Sequence, residues 1–250
     1  MASLKLKGRT CVVTGAGSGI GRALALRAAS EGMALALCDV NAEGLAETVR
    51  LAFEKGAKIA WSVVDVRDAD ALEAFAATAN GDVALVFANA GVLRVGPVAD
   101  QPAAELKLML EINVLGAIQT LQAFLPRLKA QAAPSRLVVT GSEASFAPFA
   151  NLGGYCATKH ALLALTEALA MELAAEGSPI GVTLLTPGSV DTAIFGDQGA
   201  PNSARAITPA QVADIAFAGI AQGRAIIATH ADLPDRLDAR LAAVKAALGA

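Results

Sequence analysis

Short runs of consecutive apolar residues alternate along this chain with longer stretches whose apolar positions recur at helical spacing. The runs at 9–14, 34–39, 58–65, 82–89, 136–142, 181–186 and 224–229 are strand candidates. Most lack polar alternation, the pattern of strands covered on both faces, and so predict a parallel sheet. Between them, 20–31, 42–55, 68–79, 102–130, 154–176 and 209–222 read as helices. Asn41, Asp68, Asp100 and Thr208 stand where N-caps belong, and Pro209 takes the first helical position after Thr208. Regular strand–helix alternation predicts a doubly wound α/β fold with right-handed crossovers. No composition shift, repeat or low-complexity segment divides the 250 residues, so a single domain is expected. The stretch 196–207, with its Gly, Pro, Asn and Ser, is the longest irregular connection and a candidate lid.

Composition narrows the class. With 54% hydrophobic and 17% charged residues, the chain can bury enough surface to offset its ordering entropy, which excludes disorder. Lys and Arg number 20 against 23 acids, a net charge of −3 without a basic block, so no nucleic-acid partner is expected. The apolar excess raises the question of a membrane. No uninterrupted apolar run of about 18 residues occurs, no basic-then-apolar leader opens the chain, and much of the excess is Ala, a packing residue of helices. A soluble cytoplasmic protein with no membrane association is expected. Cys11, Cys38 and Cys156 are widely separated and form no disulfide or thiol–metal pattern, and His160 and His230 are too few for a His-rich metal site. Cys11 and Cys38 read as small buried hydrophobes.

Candidate chemistry begins where the first strand ends, in Thr14-Gly15-Ala16-Gly17-Ser18-Gly19-Ile20-Gly21. Glycines there permit a tight turn and let backbone approach a pyrophosphate, while the following helix offers free N–H groups to phosphate oxygens. The bland alternative is a turn without a ligand. Its position after the first strand, and the acid Asp39 closing the second, favour a dinucleotide. A carboxylate at Asp39 accepts from ribose hydroxyls and repels a 2′-phosphate, which favours NAD over NADP; a capping Asp is the alternative. Arg22 is the one nearby cation that could swing toward such a phosphate. Asp65, or the amide of Val66, is placed to hold an adenine edge. Asn89-Ala90-Gly91 closes the fourth strand with small residues that leave room for a cofactor, and Asn89 could equally tie strand ends together.

The strongest local signal is Tyr155-Cys156-Ala157-Thr158-Lys159, at a helix start where residues four apart share a face. A free phenol has a pKa near ~10. An ammonium one turn away, with a positive nicotinamide ring, would favour the phenolate and make Tyr155 a general acid/base. Lys159 can also bind ribose hydroxyls. Ser142, read as the end of the fifth strand, lies where a doubly wound sheet places its ligand and could hydrogen-bond a substrate oxygen. Asn113, in an otherwise apolar helix face, needs buried partners. It is expected to distort its helix and hold a water linked to Lys159, or else to cap a neighbouring loop. A surface Tyr–Lys pair and a turn serine are the structural alternatives.

With these residues in view, the sequence resembles the short-chain dehydrogenase/reductase family over about 5–195. The resemblance rests on the glycine turn, Asp65, Asn89-Ala90-Gly91, Asn113, Ser142, Tyr155, Lys159 and Pro187-Gly188-Ser189-Val190-Asp191-Thr192. It implies a Rossmann-type three-layer αβα sandwich whose seven-stranded, mainly parallel sheet has the order 3-2-1-4-5-6-7. It implies catalysis by Asn113, Ser142, Tyr155 and Lys159. It also implies a nicotinamide lined by Pro187, Gly188 and Val190 with Thr192 nearby, and a homodimer or homotetramer formed through helices 102–130 and 154–176. Phe87-Ala88 stands where relatives more usually begin this motif with Asn-Asn or Asn-Ala. The C-terminal segment also departs from the family pattern. A helix at 235–248 follows Ala231-Asp232-Leu233-Pro234, and it is expected to cover the substrate mouth or pack on a partner.

The expected reaction is reversible oxidation of a secondary alcohol to a ketone with NAD. Leu93, Arg94, Glu143, Ala144, Phe146, Phe149, Leu152 and Phe195 are pocket candidates by position. Their phenylalanines suggest an apolar or ring-bearing substrate, against the alternative of core packing. His230 and Arg94 read more simply as surface groups, and Cys156 as a packing residue. An NADP-dependent carbonyl reductase is the competing enzyme. A nucleotide-sensing protein without turnover would be expected to lack one of the four catalytic residues, and all four are present.

Overall fold

The computed structural model describes residues 4–194, 203–231 and 234–249. Seven strands form one sheet: β1 (Thr10–Thr14), β2 (Ala34–Asp39), β3 (Ile59–Val63), β4 (Val83–Ala88), β5 (Ser135–Thr140), β6 (Ile180–Thr186) and β7 (Ile226–Ala228). Their order is β3-β2-β1-β4-β5-β6-β7, and every pairing is parallel. The helices are α1 (Gly19–Ser30), α2 (Ala42–Glu54), α3 (Ala69–Thr78), α4 (Ala103–Met109), α5 (Gly116–Gln131), α6 (Gly153–Ala175), α7 (Pro209–Ala221) and α8 (Pro234–Ala247).

The continuous apolar runs are the central strands. β1, β4 and β5 are buried at every position, because helices cover both faces of the sheet. The edge strand β3 instead leaves Trp61 and Val63 exposed. One layer of the core packs α1, α2 and α7 through Leu24, Ala28, Leu45, Val212 and Phe217. The opposite layer holds Phe75, Phe124, Leu128 and Leu173 from α3, α5 and α6. Phe75 meets Phe124 edge-on at 5.9 Å. Deleting a fully buried ring such as Phe124 costs about 3–5 kcal/mol. The alanines Ala25, Ala28, Ala213 and Ala216 are fully or almost fully buried, consistent with close approach of α1 and α7.

Three of the four expected caps form. Asn41 and Asp68 accept from Gly44 N and Ala71 N at 3.0 Å, and Thr208 makes a capping box with Gln211. Asp100 does not cap. Its amide turns back to Pro97 O and the helix starts after Pro102, whose ring fixes the φ that the entry needs. The helix expected over 102–130 is also not uniform. A π-helical turn at Leu110–Leu115 separates α4 from α5. The helical run Ala103–Gln131 is, by length and composition, apolar enough to cross a membrane, although charged residues interrupt it. In this fold its inner face lies in the core, with Met109, Phe124 and Leu128 fully buried. The tail forms α8, where Arg240 donates to Phe146 O and meets His160 Nε2 at 2.7 Å. The helix therefore docks beside the turn that follows β5.

Candidate active site

The order of the sheet reverses between β1 and β4, and the C-terminal ends of β1, β4, β5 and β6 open on that side. Thr14 organises the crevice. Its Oγ1 donates to Phe87 O and accepts from the amides of Asn89 and Ala90. Asn89 completes the clasp by donating to Thr14 O and accepting from Thr140 Oγ1, so one side chain ties β1, β4 and β5. Gly15 adopts φ +67, and a Cβ there would lie 2.8 Å from Ala90 Cα; no other residue fits this turn. Ser18, at the α1 N-cap, makes no side-chain cap bond, and the first turn of α1 carries no acid. Ile20 packs on the core beneath, and Gly21 is buried within the same turn. The end of α1 thus carries neither a capping side chain nor an acid that would compete with an anion. Thr192, beyond β6, comes back beside Gly19.

At the end of β2, Asp39 accepts from Gly17 N at 2.7 Å and from Asn41 N at 2.8 Å. Arg22 is folded back into the turn. Its guanidinium is spent on Gly17 O, Gly44 O and Thr48 Oγ1. The carboxylate of Asp65 is held by Arg67, which keeps it below the usual carboxylate range. Val66 is buried, with its side chain close against Gly116.

Asn113 sits in the π turn, 1% exposed. Its Oδ1 accepts from Val92 N at 2.8 Å, and its Nδ2 donates to Val92 O at 2.9 Å and Thr158 Oγ1 at 3.1 Å. The asparagine therefore sits in a distorted helix and also ties down the loop after Gly91. Thr158 in turn donates to Tyr155 O. Lys159 is 4% exposed and donates to Thr140 O at 2.8 Å, beside Asn113 and Gly91.

Ser142 lies beyond β5, whose pairing ends at Thr140 with Leu185. It is the N-cap of a 3-10 turn at Glu143–Ser145, where it accepts from Ala144 N. The same hydroxyl faces Tyr155, which is 8% exposed. Burial pushes the Tyr155 phenol up to about 12, outweighing the lowering effect of the Ser142 hydroxyl. Burial also lowers Lys159 to about 8. The expected acidifying effect of the lysine on the tyrosine is not what the protein alone provides. Lys159 Nζ stands 5.5 Å from the ring centroid and is itself disfavoured as a cation.

Of the pocket candidates, Leu93, Ala144, Phe149 and Leu152 gather around Tyr155 and Cys156 in one apolar cluster. Phe146 packs elsewhere, against Val139, Leu162 and Leu184. Arg94 donates to Leu93 O. Cys156 accepts from Phe149 N, as suits a packing residue. Phe195 and most of the proposed lid lie outside the described residues. Glu143 does not face the apolar cluster. It is buried, with its carboxylate toward Arg205 and His230, and His230 is half-buried beside it rather than at the surface. The parts that the sequence did not mark are Thr14, Thr140 and Thr158. Polar residues closing otherwise apolar strands were the available signal for the first two.

Residues 9–203 match the short chain dehydrogenase family. A 1-deoxy-11-beta-hydroxypentalenate dehydrogenase of Streptomyces avermitilis is 36% identical over 244 residues, covering 94% of this chain and 89% of that protein. A short chain dehydrogenase/reductase from Burkholderia phymatum, solved in complex with NAD, superposes with a TM-score of 0.89 at 30% identity, over 98% of this chain and 96% of that one. An alcohol dehydrogenase from Thermococcus sibiricus, complexed with 5-hydroxy-NADP, gives 0.78 at 32% identity, over 86% and 91%. A sheet of this order, the family match along most of its length and a relative aligned almost end to end agree: the chain belongs to the short-chain dehydrogenase/reductase family of oxidoreductases.

Proposed function

We propose that the protein is an NAD-dependent dehydrogenase that oxidises a secondary alcohol to a ketone. The observation that carries this reading is Ser142 beside the buried Tyr155 at the open end of the sheet, with Lys159 and Asn113 behind it. The uncapped α1 terminus and the close-packed turn around Gly15 fit a dinucleotide pyrophosphate. Asp39, at the end of β2, suits two ribose hydroxyls and opposes a 2′-phosphate, while Arg22 is committed to the turn itself. Val66 would meet the adenine edge, Asn89, Ala90 and Gly91 the ribose side, and Pro187, Gly188, Val190 and Thr192 the nicotinamide.

Bound NAD supplies the electron-pair acceptor for the carbon-bound hydrogen and a positive charge beside Tyr155. Ser142 Oγ and Tyr155 Oη hold the substrate oxygen between them. Tyr155 takes the hydroxyl proton as the carbon becomes a carbonyl, a role worth roughly 10²–10⁴-fold. Lys159 steadies the ribose and, with Asn113, passes the proton outward through water. The cluster of Leu93, Ala144, Phe149 and Leu152 around Tyr155 favours an apolar, ring-bearing alcohol. The name of the Streptomyces relative, a dehydrogenase of a hydroxylated compound, supports the oxidative direction. Exposed Leu110 and Leu115 on the long helical run, and Leu165 and Met171 on α6, favour pairing of two copies through these helices.

The test is a panel of cyclic secondary alcohols with NAD, followed at the nicotinamide absorbance, for the wild type and Tyr155→Phe. Turnover by the wild type and its loss in the variant, with NAD binding retained, are expected. Near-normal turnover by Tyr155→Phe sinks the assignment. Activity confined to ketones with NADPH reverses the direction and the cofactor.

A further inference from the structure

Glu143 follows the catalytic serine directly, yet its carboxylate is turned away from the apolar cluster and is 9% exposed. A buried carboxylate is costly unless it is paired and hydrogen-bonded. Its partners come from distant parts of the chain. Arg205 Nη2 stands 3.4 Å from Oε1, and His230 Nδ1 stands 4.0 Å from the same oxygen. The His230 side chain is exposed to the same extent.

Arg205 O, 3.0 Å from His230 Nε2, can only accept, so Nε2 carries the proton. Nδ1 shares a hydrogen bond with Thr229 Oγ1 at 2.8 Å. Thr229 Oγ1 accepts in turn from Gly188 N at 3.1 Å, and Glu143 N donates to Pro187 O at 2.9 Å. The circuit is closed. It runs from the Gly188 amide through Thr229 and His230 to the Arg205 carbonyl, from the Arg205 guanidinium to the Glu143 carboxylate, and from the Glu143 amide back to Pro187. The turns after β5, β6 and β7 and the segment entering α7 meet at this point. Gly188 makes the meeting possible, since a Cβ there would fall on Glu143 Oε1 and His230 Nδ1.

We propose that Glu143 and His230 are positioning residues which, through Arg205 and Thr229, lock the Pro187–Gly188 backbone to the Ser142 turn and so set the pocket for the nicotinamide ring. The inference rests on the reading of this crevice as a nicotinamide-cofactor site. Neither side chain touches the substrate. Loss of either loosens the wall against which the ring lies, while the glycine turn and Asp39, on the far side of the crevice, keep their grip on the adenosine half.

The difference between the two halves supplies the test. Affinities for NAD and for ADP-ribose, which lacks the nicotinamide, are measured by calorimetry for the wild type, Glu143→Gln and His230→Ala. Melting temperatures and steady-state constants are recorded alongside. The wild type is expected to favour NAD over ADP-ribose. Both variants are expected to keep ADP-ribose affinity within about twofold and to lose about tenfold in NAD affinity, the scale of one charge-assisted hydrogen bond. A fall in kcat should accompany it. Parallel weakening of both ligands marks a general folding defect and overturns the proposal, as do an unchanged ratio of affinities and an unchanged kcat. A wild type that binds NAD no better than ADP-ribose, or binds neither, overturns the cofactor reading and this inference with it, and is told apart by needing no variant.

Discussion

Replacing Asn113 by alanine removes three hydrogen bonds at once. The amide and carbonyl of Val92 lose both partners that Asn113 provides, and Thr158 Oγ1 loses a donor while keeping its own bond to Tyr155 O. Each backbone group left without a partner in a buried site costs about 1–3 kcal/mol. Val92 is only half-buried, so water recovers part of that. The net expectation is a loss of about 2–4 kcal/mol of stability, or roughly 5–12 °C in Tm for a domain of this size. Activity should fall further than unfolding explains, because the same side chain braces Thr158, next to Lys159, and the loop after Gly91. Urea unfolding followed by circular dichroism gives the first quantity. Steady-state kinetics at a temperature where the variant is fully folded gives the second. A variant that unfolds within about 0.5 kcal/mol of wild type, with kcat/KM intact, would refute the account of Asn113 as a brace.

Other substitutions separate the remaining roles. Asp39→Ala removes the acceptor of Gly17 N and the barrier to a 2′-phosphate together. KM for NAD should rise about tenfold or more and NADP should gain relative to NAD, read from paired cofactor titrations; an unchanged preference would contradict the assignment. Lys159 has its folded pKa depressed by burial from 10.5 to about 8. Its contribution therefore favours folding fully above the unfolded value and is lost as pH falls through the folded one. Lys159→Met should abolish activity yet stabilise the protein at neutral pH by up to ~3 kcal/mol, with the advantage shrinking as pH rises from about 8 toward 10.5. Denaturation curves of both proteins at several pH values check this, and a destabilised Lys159→Met at pH 7 would contradict it.

Much of this architecture is written locally. Continuous apolar runs locate all seven strands; the central ones, covered on both faces, have no polar side to show, while the edge strands β3 and β7 keep exposed positions. The ends shift where pairing, rather than polarity, stops a strand: β5 releases its chain at Thr140, and Ser142 becomes a cap. The glycine turn and the Tyr155–Lys159 spacing are equally local. What stayed hidden depends on long-range packing. Glu143 reads as a pocket residue by its place beside Ser142, and only the fold brings Arg205 and His230 against it. Arg22 looks available in sequence, whereas the tertiary turn occupies its guanidinium. The direction of the Tyr155 shift was also out of reach, since the spacing reveals the lysine but not the depth of burial that opposes it.

The claim at the centre is that the protein alone holds Tyr155 protonated and that a bound cofactor makes it a usable base. Tyr155 is the only tyrosine in the chain, so tyrosinate absorbance in the near ultraviolet reports this residue alone. A titration between about pH 7 and 10 should show no tyrosinate in the free protein, whose phenol is pushed up to about 12. With saturating NAD, a tyrosinate signal should appear within that range and be absent from Tyr155→Phe. A phenol that titrates near ~10 with or without NAD would contradict the account.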